Sequence, residues 1–241
     1  DGSMRTISRT GLWACCWVAG LTVGVQGAQF VLKPIRARTA VCGTPPCYTL
    51  VGTDEIRLQG TPQRVFLEVR MQGWAPNLLK TYQAKLDSSG YSNGIGASII
   101  PAVQPCNPLN DDCSITFGPE SYCNVPPGAG QFCEPGFQDR FRTADWVFGA
   151  NALSAFGVDI SSPFYRYFAI RNSGTQADPG ISKYGGDLVL DVPSGAAGTY
   201  TIGFLEGLDT FMADGNNNEI TPLILTPVKI IVQCITNANC N

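Results

Sequence analysis

The amino-acid sequence predicts an all-β protein: one antiparallel β-sandwich of about nine short strands that carries a disulfide-rich insertion. Three observations carry that prediction. Apolar and polar residues alternate over short runs, the period of a half-buried strand. No segment shows the spacing of a long amphipathic helix. The 27 Gly and 17 Pro among 241 residues supply the turns that many short strands require.

In chain order, short strands are expected at residues 48–51 and 55–59. Next, Val65, Leu67, Val69 and Met71 face one way while Glu68 and Arg70 face the other. Tyr82, Ala84 and Leu86 alternate with Thr81, Gln83 and Lys85. Strands follow at 96–100, 146–148 and 167–171. Leu188, Leu190 and Val192 then alternate with Asp187, Val189 and Asp191, and beyond the Gly-rich turn at 194–198 come Tyr200, Ile202 and Phe204. A single stretch from 222 to 234, with Val228, Ile230 and Val232 inward, closes the set.

Composition narrows the chemistry. With 16 Lys+Arg against 19 Asp+Glu the net charge is −3, and a pI near 4.9 disfavours nucleic acid, whose phosphates demand clustered basic residues. The absence of histidine removes Ser-His-Asp and Cys-His catalysis, HExxH zinc sites and imidazole ligation of haem. Any catalysis falls to carboxylates, Lys, Tyr or hydroxyls.

The N-terminal region reads as a secretory signal over residues 4–27: Arg5 and Arg9, an uncharged run from Leu12 to Val25, then Val25-Gln26-Gly27 as a small-residue cleavage site after Gly27. Leu12-Trp13-Ala14-Cys15 loosely resembles a lipoprotein box, although Trp13 fits it poorly. The 14-residue run is too short to span about 30 Å of hydrocarbon, so no membrane span is expected in the mature chain. Eight cysteines then remain: Cys42, Cys47, Cys106, Cys113, Cys123, Cys133, Cys234 and Cys240. An even count in an exported chain reads as disulfides. Sequence proximity favours 42–47, 106–113, 123–133 and 234–240, each pinning a local loop. Zinc is the competing reading, but this part of the chain has neither CxxC nor His.

The organisation is then a single sandwich over 28–233, an insertion at about 101–141, and a cysteine-bearing tail at 234–241. The insertion holds four cysteines and seven prolines, too few paired apolar residues for a core of its own. The tail is either a C-terminal clasp or the start of a further module.

Two blocks carry a resemblance. The segment from Arg64 to Asp87, with Val65-Phe66-Leu67-Glu68-Val69 and Thr81-Tyr82-Gln83-Ala84-Lys85-Leu86, resembles the opening strands of cohesin-like domains of secreted bacterial proteins. Gly185-Gly186-Asp187-Leu188-Val189-Leu190-Asp191-Val192, Gly198-Thr199-Tyr200-Thr201-Ile202 and Val228-Lys229-Ile230-Ile231-Val232 are similar to their closing strands. The resemblance covers residues 48–100 and 145–233 and implies a jelly-roll or cohesin-like sandwich. It further implies a non-catalytic extracellular recognition or assembly module, secreted or at the cell surface, whose partner is an extracellular protein or polysaccharide. The cysteine-rich insertion departs from ordinary cohesins, so no partner-contact residues carry over.

The sharpest constellation lies between Asp209 and Ile220. Asp214, Asn216 and Asn218, with Asp209 and Glu219 nearby, alternate oxygen ligands as a calcium loop does. The same Asp-Gly and Asn-Asn residues also suit a hairpin turn. Both readings stand, and a structural calcium is the one cofactor the sequence suggests. Asn110-Asp111-Asp112 is a weaker acidic loop. Trp74, Tyr122, Trp146, Tyr165 and Tyr167 offer flat rings for sugar stacking, which keeps a carbohydrate-binding module as the alternative; core packing of Trp146 competes with it. A carboxylate-dependent glycoside hydrolase stands third, since no acid pair sits in a recognisable motif.

Overall fold

The computed structural model describes residues 27–39, 47–76, 78–102, 116–117, 120–121, 146–148, 153–159, 166–171 and 180–233. The strands are β1 (Ala28–Thr39), β2 (Tyr48–Val51), β3 (Glu55–Gln59), β4 (Gln63–Gln72), β5 (Thr81–Lys85) and β6 (Ile100–Pro101). After the ribbon of β7 (Thr116–Phe117) and β8 (Glu120–Ser121) come β9 (Leu153–Asp159), β10 (Arg166–Arg171), β11 (Lys183–Val192) and β12 (Gly198–Ile202). The last are β13 (Phe211–Ala213), β14 (Leu223–Thr226) and β15 (Val228–Gln233). Short 3₁₀ turns at Ser88–Tyr91 and Gly207–Asp209 are the helical elements described.

Besides the β7-β8 ribbon, the described strands form three larger sheets. The first has the order β14-β1-β4-β11-β6, the second β13-β5-β10-β9 and the third β12-β15-β3-β2. The first packs on the other two through one core. Phe30, Leu32, Val65, Leu67, Val69, Met71, Leu188, Leu190 and Val192 line its inner side, and all are buried. Facing them are Tyr82, Ala84 and Met212 from the second sheet, and Ile56, Leu58, Tyr200, Ile202, Val228, Ile230 and Val232 from the third. Phe30 bridges the layers, with ring centroids 6.2 Å from Tyr82 and 5.5 Å from Phe204. The Tyr82 hydroxyl crosses as well and donates to the Gly185 carbonyl. A side chain at Gly185 would put Cβ 2.7 Å from Met71 Sδ, so glycine allows the close approach at this irregularity in β11.

The inward residues predicted for β4, β5, β11, β12 and β15 are all buried. Other expectations are corrected. The sandwich is not wholly antiparallel: β1 pairs with β14, and β3 with β15, in parallel. The stretch 222–234 is two strands, because Pro227 lies between β14 in the first sheet and β15 in the third. Residues 146–148 form a turn whose Trp146 makes an isolated bridge to Tyr184, and only Ile100–Pro101 of the expected strand at 96–100 is a strand. Glu68 does face away from the core, yet it is buried rather than solvated, 3.6 Å from Arg70. Phe66 and Val189 on that same outer side are buried too.

The strand block resembling opening strands is β4 and β5, and β1 precedes it. Most of the insertion, including its four cysteines, lies outside the described residues, as do the signal region 4–26 and the tail 234–241.

Candidate functional site

The second sheet exposes a surface built from strand alternation. In β5, Tyr82 and Ala84 enter the core, which leaves Thr81, Gln83 and Lys85 half-buried on the outer side. Directly opposed residues on neighbouring strands share a face. Gln83 stands between Phe211 of β13 and the register position of Phe168 in β10. Thr81 is opposite Ile170 and Ala213, and Lys85 is opposite Arg166. Phe211, Ile170 and Arg166 are each half-buried. The outer side of this sheet therefore mixes apolar and cationic residues.

Its edge has an unusual construction. The chain after β12 runs antiparallel to β5 and pairs with it twice. Leu205 N–H donates to the Lys85 carbonyl at 2.8 Å, Asp87 N–H donates to the Gly203 carbonyl at 3.0 Å, and Leu86 bridges Phe204. Further on, Phe211–Ala213 pairs with residues 83–81. Between the two pairings, residues 206–210 leave the sheet. This bulge is tied down by the outward side chains of β5. Gln83 Nε2 donates to the Asp209 carbonyl at 3.0 Å and the Leu208 carbonyl at 3.5 Å. Lys85 Nζ meets Asp209 Oδ1 at 3.0 Å. The buried Thr210 hydroxyl accepts from Lys85 N–H at 3.2 Å and donates to the Lys85 carbonyl at 3.3 Å. With Thr210 inward and Asp209 held by Lys85, Leu208 projects outward and is 84% exposed.

The residues singled out from the sequence are dispersed. Asp209 belongs to this bulge and is paired with Lys85. Asp214 serves the following hairpin instead: its Oδ1 accepts from Asn216 N–H at 2.8 Å and Asn218 N–H at 2.9 Å, while Oδ2 accepts from Asn218 Nδ2 at 3.1 Å. Those donors hold its carboxyl below the ordinary carboxylate value. Asn217 occupies the left-handed region at φ 64°, as the turn reading requires, and Glu219 is exposed and bridges back to Ala213. Among the described residues no group of three or more acidic or cysteine side chains is placed to hold a metal ion. Asn110, Asp111 and Asp112 lie outside the described residues.

Trp74 and Trp146 are buried, so neither ring presents a face for a sugar. Trp146 instead packs edge-on against Phe148 at 5.8 Å. Tyr122 and Tyr165 lie outside the described residues, and Tyr167 is placed on β10 by its backbone. Cys47 is the one described cysteine; it is buried and disulfide-bonded, and its carbonyl accepts from Gln63 Nε2 at 3.4 Å. The other nine of the ten fall outside the described residues. Among the described residues, acidic side chains are engaged by basic ones: Glu55 by Arg57, Glu68 by Arg70, Asp191 by Arg64, and Asp209 by Lys85. Burial holds the Tyr91 phenol far above its usual range, and the nearby Asp87 carboxylate adds to the effect.

The fold is similar to solved cohesin domains. A type I cohesin from Clostridium thermocellum, solved in a cohesin–dockerin complex, has 11% identity and a TM-score of 0.40, covering 86% of this chain and 100% of that one. The seventh ScaB type I cohesin of Pseudobacteroides cellulosolvens has 9% identity and a TM-score of 0.42, covering 87% and 94%. A type II cohesin domain of Acetivibrio cellulolyticus has 10% identity and a TM-score of 0.40, covering 77% and 95%. No family model and no curated protein matches the sequence. Among the described residues no helix is long and apolar enough to cross a membrane.

The outward alternation of Thr81, Gln83 and Lys85 was readable from the sequence, but the bulge that Gln83 and Lys85 anchor was not. Its signal is short: Gly207, at φ 77°, sets an apolar residue between two acids in Glu206-Gly207-Leu208-Asp209.

Proposed function

We propose that this chain is a non-catalytic extracellular recognition or assembly module that takes a protein partner on the outer face of the β13-β5-β10-β9 sheet. One observation carries the reading. That face mixes half-buried Phe211 and Ile170 with Thr81, Gln83, Lys85 and Arg166. Apolar residues set among polar and charged ones on a strand face suit a protein partner. The signal-like N-terminus and the disulfide at Cys47 support an oxidising, exported setting. The burial of Trp74 and Trp146 counts against sugar stacking, and the ion-paired carboxylates count against a glycosidase pair.

The test compares the immobilised chain with its Thr81→Arg variant for retention of extracellular proteins from cells that make it, beside affinity electrophoresis in soluble polysaccharides. A protein retained by the parent chain and lost by Thr81→Arg, with unchanged Tm, supports the reading. Retardation by a polysaccharide, or retention indifferent to Thr81→Arg, overturns it.

A further inference from the structure

We infer that Asn93–Gly94 is a site of spontaneous covalent modification: Asn93 loses its side-chain amide to water, and the change unlatches the loop at 92–97 from the turn at 194–198. The inference is independent of the partner-binding face.

Asn93–Gly94 is the one Asn-Gly step in the chain. The reaction begins when the Gly94 nitrogen attacks Asn93 Cγ. That N–C bond forms, the nitrogen gives up its proton, and the Cγ–Nδ2 bond breaks to release ammonia. Water then opens the five-membered imide at either carbonyl, leaving aspartate or, with the main chain rerouted through Cγ, isoaspartate. One water is consumed and one ammonia released, with no oxidation or reduction.

Three features of the loop suit this chemistry. Gly94, at φ 74°, has nothing within 4 Å of where a Cβ would stand, so its nitrogen is approached without hindrance. Negative charge develops on Asn93 Oδ1 during attack, and Ile95 N–H already donates to that oxygen at 3.0 Å. Gly94 N–H donates to Ser92 Oγ at 3.4 Å, which gives the departing proton its first acceptor. Asp214–Gly215 offers a similar nucleophile but a poorer target. The donors on Asp214 from Asn216 and Asn218 hold its carboxyl ionised, and a carboxylate resists attack.

The departing nitrogen is the one that closes the clasp. Asn93 Nδ2 donates to the Ala197 carbonyl at 2.6 Å. Aspartate at this position would set an acceptor against an acceptor, so the bond gives way to repulsion. Isoaspartate would also lengthen the main chain by one carbon. The clasp has little slack to absorb either change. Ala97 N–H donates to the Gly195 carbonyl at 3.0 Å, and a Cβ on Gly96 would stand 2.2 Å from that same oxygen.

The experiment holds the full chain in mildly alkaline buffer and follows its peptide masses with time, beside Ser92→Ala, Asn93→Gln and Asn93→Asp. The expected result is a gain of about one mass unit at Asn93, at least tenfold faster than at Asn216, Asn217 or Asn218. Ser92→Ala should slow that gain severalfold, and Asn93→Gln, whose longer side chain cannot close the same ring, should abolish it. Aged parent chain and fresh Asn93→Asp should both exchange the Ala97 and Ala197 amides at least tenfold faster, with core amides unchanged. No gain at Asn93, or one no faster than at residues 216–218, overturns the modification site. An unchanged rate in Ser92→Ala overturns the role of that hydroxyl. A gain that leaves both amides protected overturns the unlatching. Circular dichroism melts of each sample separate local opening from loss of fold.

Discussion

The guanidinium of Arg64 grips the carboxylate of Asp191 through two bonds, of 2.7 and 3.2 Å, across neighbouring strands β4 and β11. The pair sits on the outer side of the first sheet, one row from the buried Phe66 and Val189. Both partners are partly exposed, so solvent screens the attraction, but the two-point geometry retains part of it. Asp191→Asn should lower stability by about 0.5–1 kcal/mol, read from the midpoint of urea unfolding with an unchanged slope. A neutral result would place this pair among surface contacts that contribute nothing.

Tyr200 locks the loop at 92–97 onto the turn at 194–198. Its hydroxyl donates to the Ala97 carbonyl at 2.8 Å and accepts from Ala197 N–H at 3.2 Å, while Asn93 Nδ2 donates to the Ala197 carbonyl at 2.6 Å. Tyr200→Phe keeps the ring in the core and strips the hydroxyl. The expected cost is about 1–2 kcal/mol, with faster amide exchange at Ala97 and Ala197. Exchange unchanged at both amides would show that the loop is held by other contacts.

Glycine positions predict a contrast. A Cβ on Gly90 would stand 2.1 Å from the Thr201 carbonyl oxygen, where backbone must move to make room. Gly90→Ala should destabilise by about 3 kcal/mol or prevent folding. Gly215 has nothing within 4 Å, and Gly215→Ala should stay within about 0.5 kcal/mol of the parent. Comparable melting temperatures for the two variants would contradict this packing of the Ser88–Tyr91 turn on β12.

The hairpin at 213–219 should respond to acid. Asp214 has its carboxyl held below the ordinary value of 3.8 by Asn218 and Asn216 donors. Its folded-state value is the depressed one. The capping therefore stabilises the hairpin above the ordinary carboxylate range and is lost as pH falls through that depressed value. Exchange of the Asn216 and Asn218 amides, corrected for intrinsic rate, should accelerate below about pH 4, and Asp214→Asn should abolish that step. Because the same oxygens are taken by loop donors, millimolar calcium should leave the melting temperature where a chelator leaves it. A calcium-dependent rise would instead support calcium held by Asp209, Asp214, Asn216, Asn218 and Glu219.

Leu208→Ser tests the exposure of the 206–210 bulge. The side chain is 84% exposed, so the melting temperature should not change. A clear loss of stability would mean that Leu208 packs within the chain.

The core strands were legible because their alternation is uninterrupted: Val65 to Met71 and Leu188 to Val192 show which residues turn inward. β1 escaped for a physical reason. It alternates as far as Leu32, then Pro34 removes a backbone donor and the register shifts between Pro34 and Arg36, which breaks the phase. β13 was hidden inside an acidic loop read for its oxygens, and its Met212 is core. The bulge at 206–210 lay beyond any local reading. No local pattern shows that folding brings Lys85, 124 residues away in sequence, beside Asp209. The burial of Glu68 was equally invisible, since its strand pattern marks only the side away from the core.

The two parallel pairings have a consequence for how the molecule is made. β1 finds β14, and β3 finds β15, only after nearly the whole domain has been synthesised; Gln29 Nε2 reaches Thr226 Oγ1 at 2.9 Å across 197 residues of sequence. Loops this long must close before their contacts are gained, so completion of the sandwich is slow compared with its local hairpins. Until then the open side of β1 is a strand edge able to pair with another chain. This early strand is thus among the last to be sealed, and a nascent molecule truncated before residue 223 would carry that adhesive edge permanently.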